Sequence, residues 1–134
     1  MPKRTLLSII ESPTHPNFSG LYRRAGITEI KVVSMRKAIS RLKTTKPDFV
    51  VAEFFYGYGN NYAGVNLSNL DVFLYSLQKY APEARVIVLV DKGELEYVER
   101  LGELFSLYAV LQQPVMEEGI APLLGQEPGS GLSP

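Results

Sequence analysis

The residues best placed to do chemistry are carboxylates that follow apolar runs. Phe49-Val50-Val51-Ala52 is apolar on successive positions and closes in Glu53. Such a run suits a strand buried on both faces of a parallel sheet. An acid at its end then lies at the carboxyl edge of the sheet, where open α/β folds keep their sites. Two further acids stand in matching places: Glu11 after Leu6-Leu7-Ser8-Ile9-Ile10, and Asp91 after Val86-Ile87-Val88-Leu89-Val90. Glu11, Glu53 and Asp91, with Lys92 adjacent, are expected to converge at one edge. Three carboxylates there suit either a hard divalent cation or a solvated acidic rim, and the rim is the reading adopted. His15 is the single histidine and the chain has no cysteine, so no nucleophile–base pair can be built around it. It is expected as a solvated turn residue. No catalytic residue, metal ligand set or cofactor is assigned, and the chain is read as a non-enzyme.

The elements that must position these groups alternate regularly. Strands are expected at residues 5–10, 30–33, 49–53, 86–90 and 107–111. The first helix is capped by Asn17 and presents Phe18, Leu21, Tyr22 and Ala25 at i, i+3, i+4 and i+7. Ser34 caps the second, with Met35, Ala38, Ile39 and Leu42 inward and Arg36, Lys37, Arg41 and Lys43 outward. Ser68 or Asn69 opens the third, with Leu70, Phe73, Leu74, Leu77 and Tyr80 at helical spacing. The fourth turns Leu95, Val98, Leu101, Leu104 and Phe105 inward and Glu96, Glu99, Arg100 and Glu103 outward. Residues 117–124 allow only a short last helix, because Gly119 and Pro122 oppose a longer one. Strand–helix alternation with short connections implies a parallel sheet covered on both faces, and right-handed crossovers favour the order 2-1-3-4-5. This is a flavodoxin-like α/β fold, one domain over residues 1–124. A Gly/Pro/Ser-rich tail at 125–134 is expected to be disordered.

The order and spacing of these segments over residues 4–116 resemble the receiver domains of two-component response regulators. The resemblance implies a phosphoacceptor aspartate where Glu53 stands, and two Mg²⁺-holding acids where Glu11 and Ser12 stand. It implies a Ser or Thr at Val90, followed here by Asp91. It implies Lys-Pro where the chain has Gln113-Pro114, with a cis bond before the proline, and an aromatic switch residue at Val110, with Tyr108 two residues earlier. Phosphoryl transfer depends on positioning and charge neutralisation. A receiver whose lysine is Gln113, whose hydroxyl is Val90 and whose nucleophile carries an extra methylene is expected not to be phosphorylated. Glu53 either imitates the charge of an aspartyl phosphate or bonds backbone N–H groups or Gln113 with no switching role, and the second reading is adopted.

Partners follow from composition and loops. A chain of 134 residues with no cysteine and balanced charge has the make-up of a soluble single domain. No segment is apolar for long enough to suggest a signal peptide or a membrane span, and the cytoplasm is expected. Charge is lopsided: residues 1–46 carry net +8 and residues 47–134 net −8. That asymmetry either steers a partner, favours head-to-tail self-association, or reflects two solvated helical faces. The loop 56–66 carries Tyr56, Tyr58 and Tyr62, which either form a contact surface or pack against the sheet. With Tyr108 and Val110 they are the candidate partner-binding residues. A protein partner is expected: a signalling kinase, an output protein or a second copy, with a homodimer possible beside the short last helix.

Two other functions compete. A flavin- or phosphate-binding flavodoxin is suggested faintly by Ser12, Thr14 and Asn17, but Pro13 and Pro16 remove N–H donors there. Nucleic-acid binding through Arg23, Arg24, Arg36, Lys37, Arg41, Lys43 and Lys46 is opposed by the neutral net charge and the lack of a known motif.

Overall fold

A computed structural model describes residues 4–56 and 68–125. Five parallel strands form one sheet in the order β2-β1-β3-β4-β5. They are β1 (Arg4–Ile9), β2 (Ile27–Val32), β3 (Phe49–Glu53), β4 (Arg85–Val90) and β5 (Ala109–Gln112). The helices are α1 (Ser19–Arg24), α2 (Met35–Leu42), α3 (Asp71–Tyr80), α4 (Leu95–Leu104) and the single turn α5 (Glu117–Ile120). A 3₁₀ turn, Lys92–Glu94, leads into α4, and another, Ala121–Leu124, continues from α5.

The three inner strands are built from apolar runs, so they have no polar face to offer solvent. All five residues of β3 are buried, as are Val86 to Val90 of β4. Alternate side chains therefore serve two cores. Leu7, Ile9, Val50, Ala52, Val88 and Val90 meet α2, α3 and α4. Leu6, Phe49, Val51, Ile87 and Leu89 meet α1 and the last turns, through Leu21, Tyr22, Ile120, Ala121 and Leu124.

Of the expected caps Ser34 holds its place, whereas α1 is capped at Phe18 and α3 at Leu70, one or two residues after the expected Asn17 and Ser68 or Asn69. The Asn17 side chain accepts the Ser19 N–H at 3.0 Å, and Ser34 Oγ accepts the Lys37 N–H at 3.1 Å at the start of α2. Gly26 ends the α1 unit at φ +74°, a left-handed conformation that glycine adopts without steric cost. Ser68 and Asp71 bracket the entry to α3: Asp71 Oδ1 accepts the Ser68 N–H and hydroxyl, and Ser68 Oγ accepts the Leu70 N–H.

Three readings are corrected. β2 starts at Ile27, three residues before the expected strand. Glu29 has a low strand propensity, but pairing with Leu6 of β1 overrides it. β5 starts at Ala109, not Leu107. Leu104 does not belong to the inner face of α4. It lies about 120° around the helix from Val98 and is 60% exposed, while Phe105 fills the inward place.

Candidate functional site

Glu11, Ser12 and Glu53 leave β1 and β3 at the same edge, because these strands pair directly with Ile9 opposite Ala52. The Glu53 carboxylate does not reach out to solvent. It is 1% exposed and turns toward the loop after β1. Ser12 donates to both of its oxygens, from the backbone N–H to Oε1 at 3.2 Å and from Oγ to Oε2 at 2.5 Å.

The same loop supplies a third contact. Pro13 and Thr14 occupy the centre of a turn closed by the His15 N–H on the Ser12 carbonyl at 3.1 Å. Pro13 suits the second position of such a turn because its φ is preset. The turn folds the imidazole back over Glu53, with His15 Nδ1 3.5 Å from Oε1 and the imidazole side chain 3% exposed. This corrects the expectation of a solvated histidine. No hydrogen bond satisfies Nδ1 among the described residues. Burial pushes the Glu53 carboxyl upward, but His15, the Ser12 donors and the Glu11 backbone outweigh it, and the group stays below the ordinary glutamate range.

Asn69 ties the other side of the site. Its Oδ1 accepts the Phe55 N–H at 2.7 Å, and its Nδ2 donates to the Glu53 carbonyl at 2.8 Å and to Glu11 Oε1 at 2.9 Å. One amide thus joins the exit of β3 to the exit of β1. Burial raises the Glu11 carboxyl, the Asn69 bond lowers it and the nearby Glu53 charge raises it. The net direction is upward. Sequence reading saw Asn69 only as a helix-cap candidate. The available signal was an amide just ahead of α3 on the return from a long loop, where it can satisfy loop backbone that no strand pairs.

The remaining sequence-predicted positions make no side-chain hydrogen bond to this network among the described residues. Val90 is fully buried and its carbonyl accepts the Gln113 N–H at 2.8 Å. Gln113 is half-buried, and no hydrogen bond joins its side chain to Glu53 among the described residues. The Gln113-Pro114 bond is cis. Asp91 is exposed. Among the described residues no three Asp, Glu or His side chains group to hold a metal ion. Asp91 follows β4 at the same edge of the sheet, exposed, while Asn69 joins Glu11 to the exit of β3. The residues present also do not fit the Mg²⁺ site that receivers carry. One ligand position is a serine whose hydroxyl is donated to Glu53, and the Glu53 oxygens are already engaged.

Tyr56 is half-exposed and stacks on Tyr97 of α4, with ring centroids 3.8 Å apart. Its N–H reaches Glu94, and it bridges to Ser68, closing the base of the loop. Tyr58 and Tyr62 lie outside the described residues. Tyr108, just ahead of β5, and Val110 on it are exposed at 43% and 39%, and the Arg85 guanidinium covers the Tyr108 ring at 5.2 Å.

Solved structures share this architecture. A response regulator receiver domain protein from Clostridium thermocellum is 18% identical, with a TM-score of 0.68 over 91% of each chain. The signal receiver domain of a protein from Vibrio parahaemolyticus is 16% identical, with a TM-score of 0.67 over 92% of this chain and 88% of its own. The chain has the fold of a receiver domain. A response regulator from Burkholderia pseudomallei, solved with a phosphorylated aspartic acid and a calcium ion, is 20% identical, with a TM-score of 0.59 over 91% of this chain and 66% of its own. No family model matches the chain, and no curated protein matches it. Identities this low speak for the receiver fold and leave the activity to be argued from the site.

Proposed function

We propose that the protein is a receiver-fold signalling module that lacks phosphoacceptor chemistry and acts through protein–protein contacts in a two-component-type pathway. One observation carries the reading: the strand-three acid is 1% exposed and both its oxygens are held from within the chain. A nucleophile for in-line phosphoryl transfer must present a free oxygen to the donor, with a metal and a cation to take up the developing charge. Glu53 presents none. The group paired with it is His15 from the β1 loop, and the position that carries lysine in receivers is Gln113.

The same bonds speak against the phosphate-binding alternative. A phosphate loop needs free backbone N–H groups, and the Ser12 N–H is already given to Glu53. They also favour a structural role for Glu53 over imitation of a phosphorylated state. Its charge is compensated locally, with no hydroxyl at Val90 and no lysine at residue 113 to read it. With chemistry removed, what remains is surface, and Tyr56, Tyr108 and Val110 are among its exposed apolar side chains.

Incubation with a small phosphodonor and Mg²⁺, followed by intact-mass measurement with and without chemical trapping, tests this reading. The expected mass is unchanged. A phosphoryl adduct at Glu53 overturns it.

A further inference from the structure

The fold converts the charge asymmetry of the sequence into two opposed flanks. α2, α3 and α4 lie on one face of the sheet. α2 packs toward the β2 edge and beside α3, and α4 lies on the other side of α3, where Tyr75 meets Phe105 edge-on at 5.0 Å. Arg36, Lys37 and Arg41 are exposed on α2, which carries no acid. Glu96, Glu99 and Glu103 are exposed on α4, with Arg100 its one cation. None of these charges is in an ion pair among the described residues. Each flank also shows apolar surface: Val33, 63% exposed, at the entry to α2, and Leu104 and Tyr75, 60% and 63% exposed, beside the acids.

We infer that the basic α2 flank of one copy docks on the acidic α4 flank of a second copy. Opposite potentials with apolar residues beside them suit a specific contact better than either feature alone. The two flanks differ and lie on opposite sides of α3, so the contact is heterologous. The bound pair still offers one free acidic flank, on the first copy, and one free basic flank, on the second, so assembly proceeds past the dimer as an open chain or a closed ring. The inference stands on surface charge and is independent of the closed pocket, so its failure leaves the phosphodonor result untouched.

Sedimentation velocity over a concentration series at low and high ionic strength, with two triple variants, tests it. One variant is Arg36→Gln, Lys37→Gln and Arg41→Gln; the other is Glu96→Gln, Glu99→Gln and Glu103→Gln. All six positions are exposed, and circular dichroism checks that both variants fold. The parent is expected to grow beyond twice its chain mass of 14.9 kDa at low salt and to return to one chain at high salt. Each variant alone is expected to stay monomeric. Their equimolar mixture should stop at a one-to-one pair, because each supplies the single flank the other lacks. A parent that stays monomeric at low salt overturns the inference, as does a mixture that fails to pair. An association that survives in the α2 variant alone overturns it in favour of an isologous contact. A monomeric parent retained on heparin overturns it in favour of nucleic acid.

Discussion

At the scale of single residues, this site is two carboxylates driven apart by their surroundings. Both are partly desolvated, yet Glu53 is held low and Glu11 is held high. Glu53 has His15 and two donors from Ser12, while Glu11 has one amide donor and faces the Glu53 charge. Their linkage to stability has opposite signs. Glu53, depressed in the folded state, contributes stability above the ordinary glutamate range and loses it as pH falls through its folded value. Glu11, raised in the folded state, costs stability as pH rises from the ordinary range through its folded value. Carboxyl-carbon NMR titration should therefore place Glu53 below the ordinary range and Glu11 above it. His15→Gln should move Glu53 upward, and Glu11→Gln should remove the loss on the neutral side, so that urea midpoints rise more steeply from acid to neutral pH. Equal titration of both carboxyls would contradict this account. Glu11 and Glu53 were legible in the sequence from their places after apolar runs, and Ser12 from the resemblance to receivers. His15 was not, because its burial depends on a turn that brings it over an acid 38 positions away.

At the scale of elements, the site rests on how β1, β3 and the entry to α3 are tied together. Helix ends were readable because their signals are local. Asn17, Ser34 and Gly26 act within three residues of where they stand. The Asn69 clamp was not readable, because its partners come from Glu11, Glu53 and Phe55. Asn69→Ala removes three side-chain hydrogen bonds and leaves the Phe55 N–H and the Glu53 carbonyl without those partners. The expected cost is about 2–4 kcal/mol, at about 1 kcal/mol for each of the three bonds. Urea unfolding of the variant measures it. A loss under about 0.5 kcal/mol, the range of an ordinary surface change, would show that the clamp does not hold the strand exits. The boundaries of β2 and β5 moved for a similar reason, since ladder pairing decides which residues count as strand.

At the scale of the whole molecule, the sheet separates two cores that must form together. Ile87 and Val88 are neighbours in β4, both fully buried, and they serve opposite faces. Ile87→Ala should cost about 2–5 kcal/mol, and far-UV circular dichroism and tyrosine fluorescence should lose signal in one shared transition. Separate transitions would mean that the faces unfold independently. The amino-acid sequence alone determined the architecture and strand order, because consecutive apolar positions, caps and right-handed crossovers leave few other solutions. It also determined which receiver positions had changed type. Only the tertiary structure decided what the replacements do. Whether a glutamate points outward or is closed over by Ser12 and His15 depends on side chains distant in sequence meeting at the strand exits. Whether a charge asymmetry becomes two opposed flanks depends in the same way on where the helices pack, and local periodicity does not carry that information.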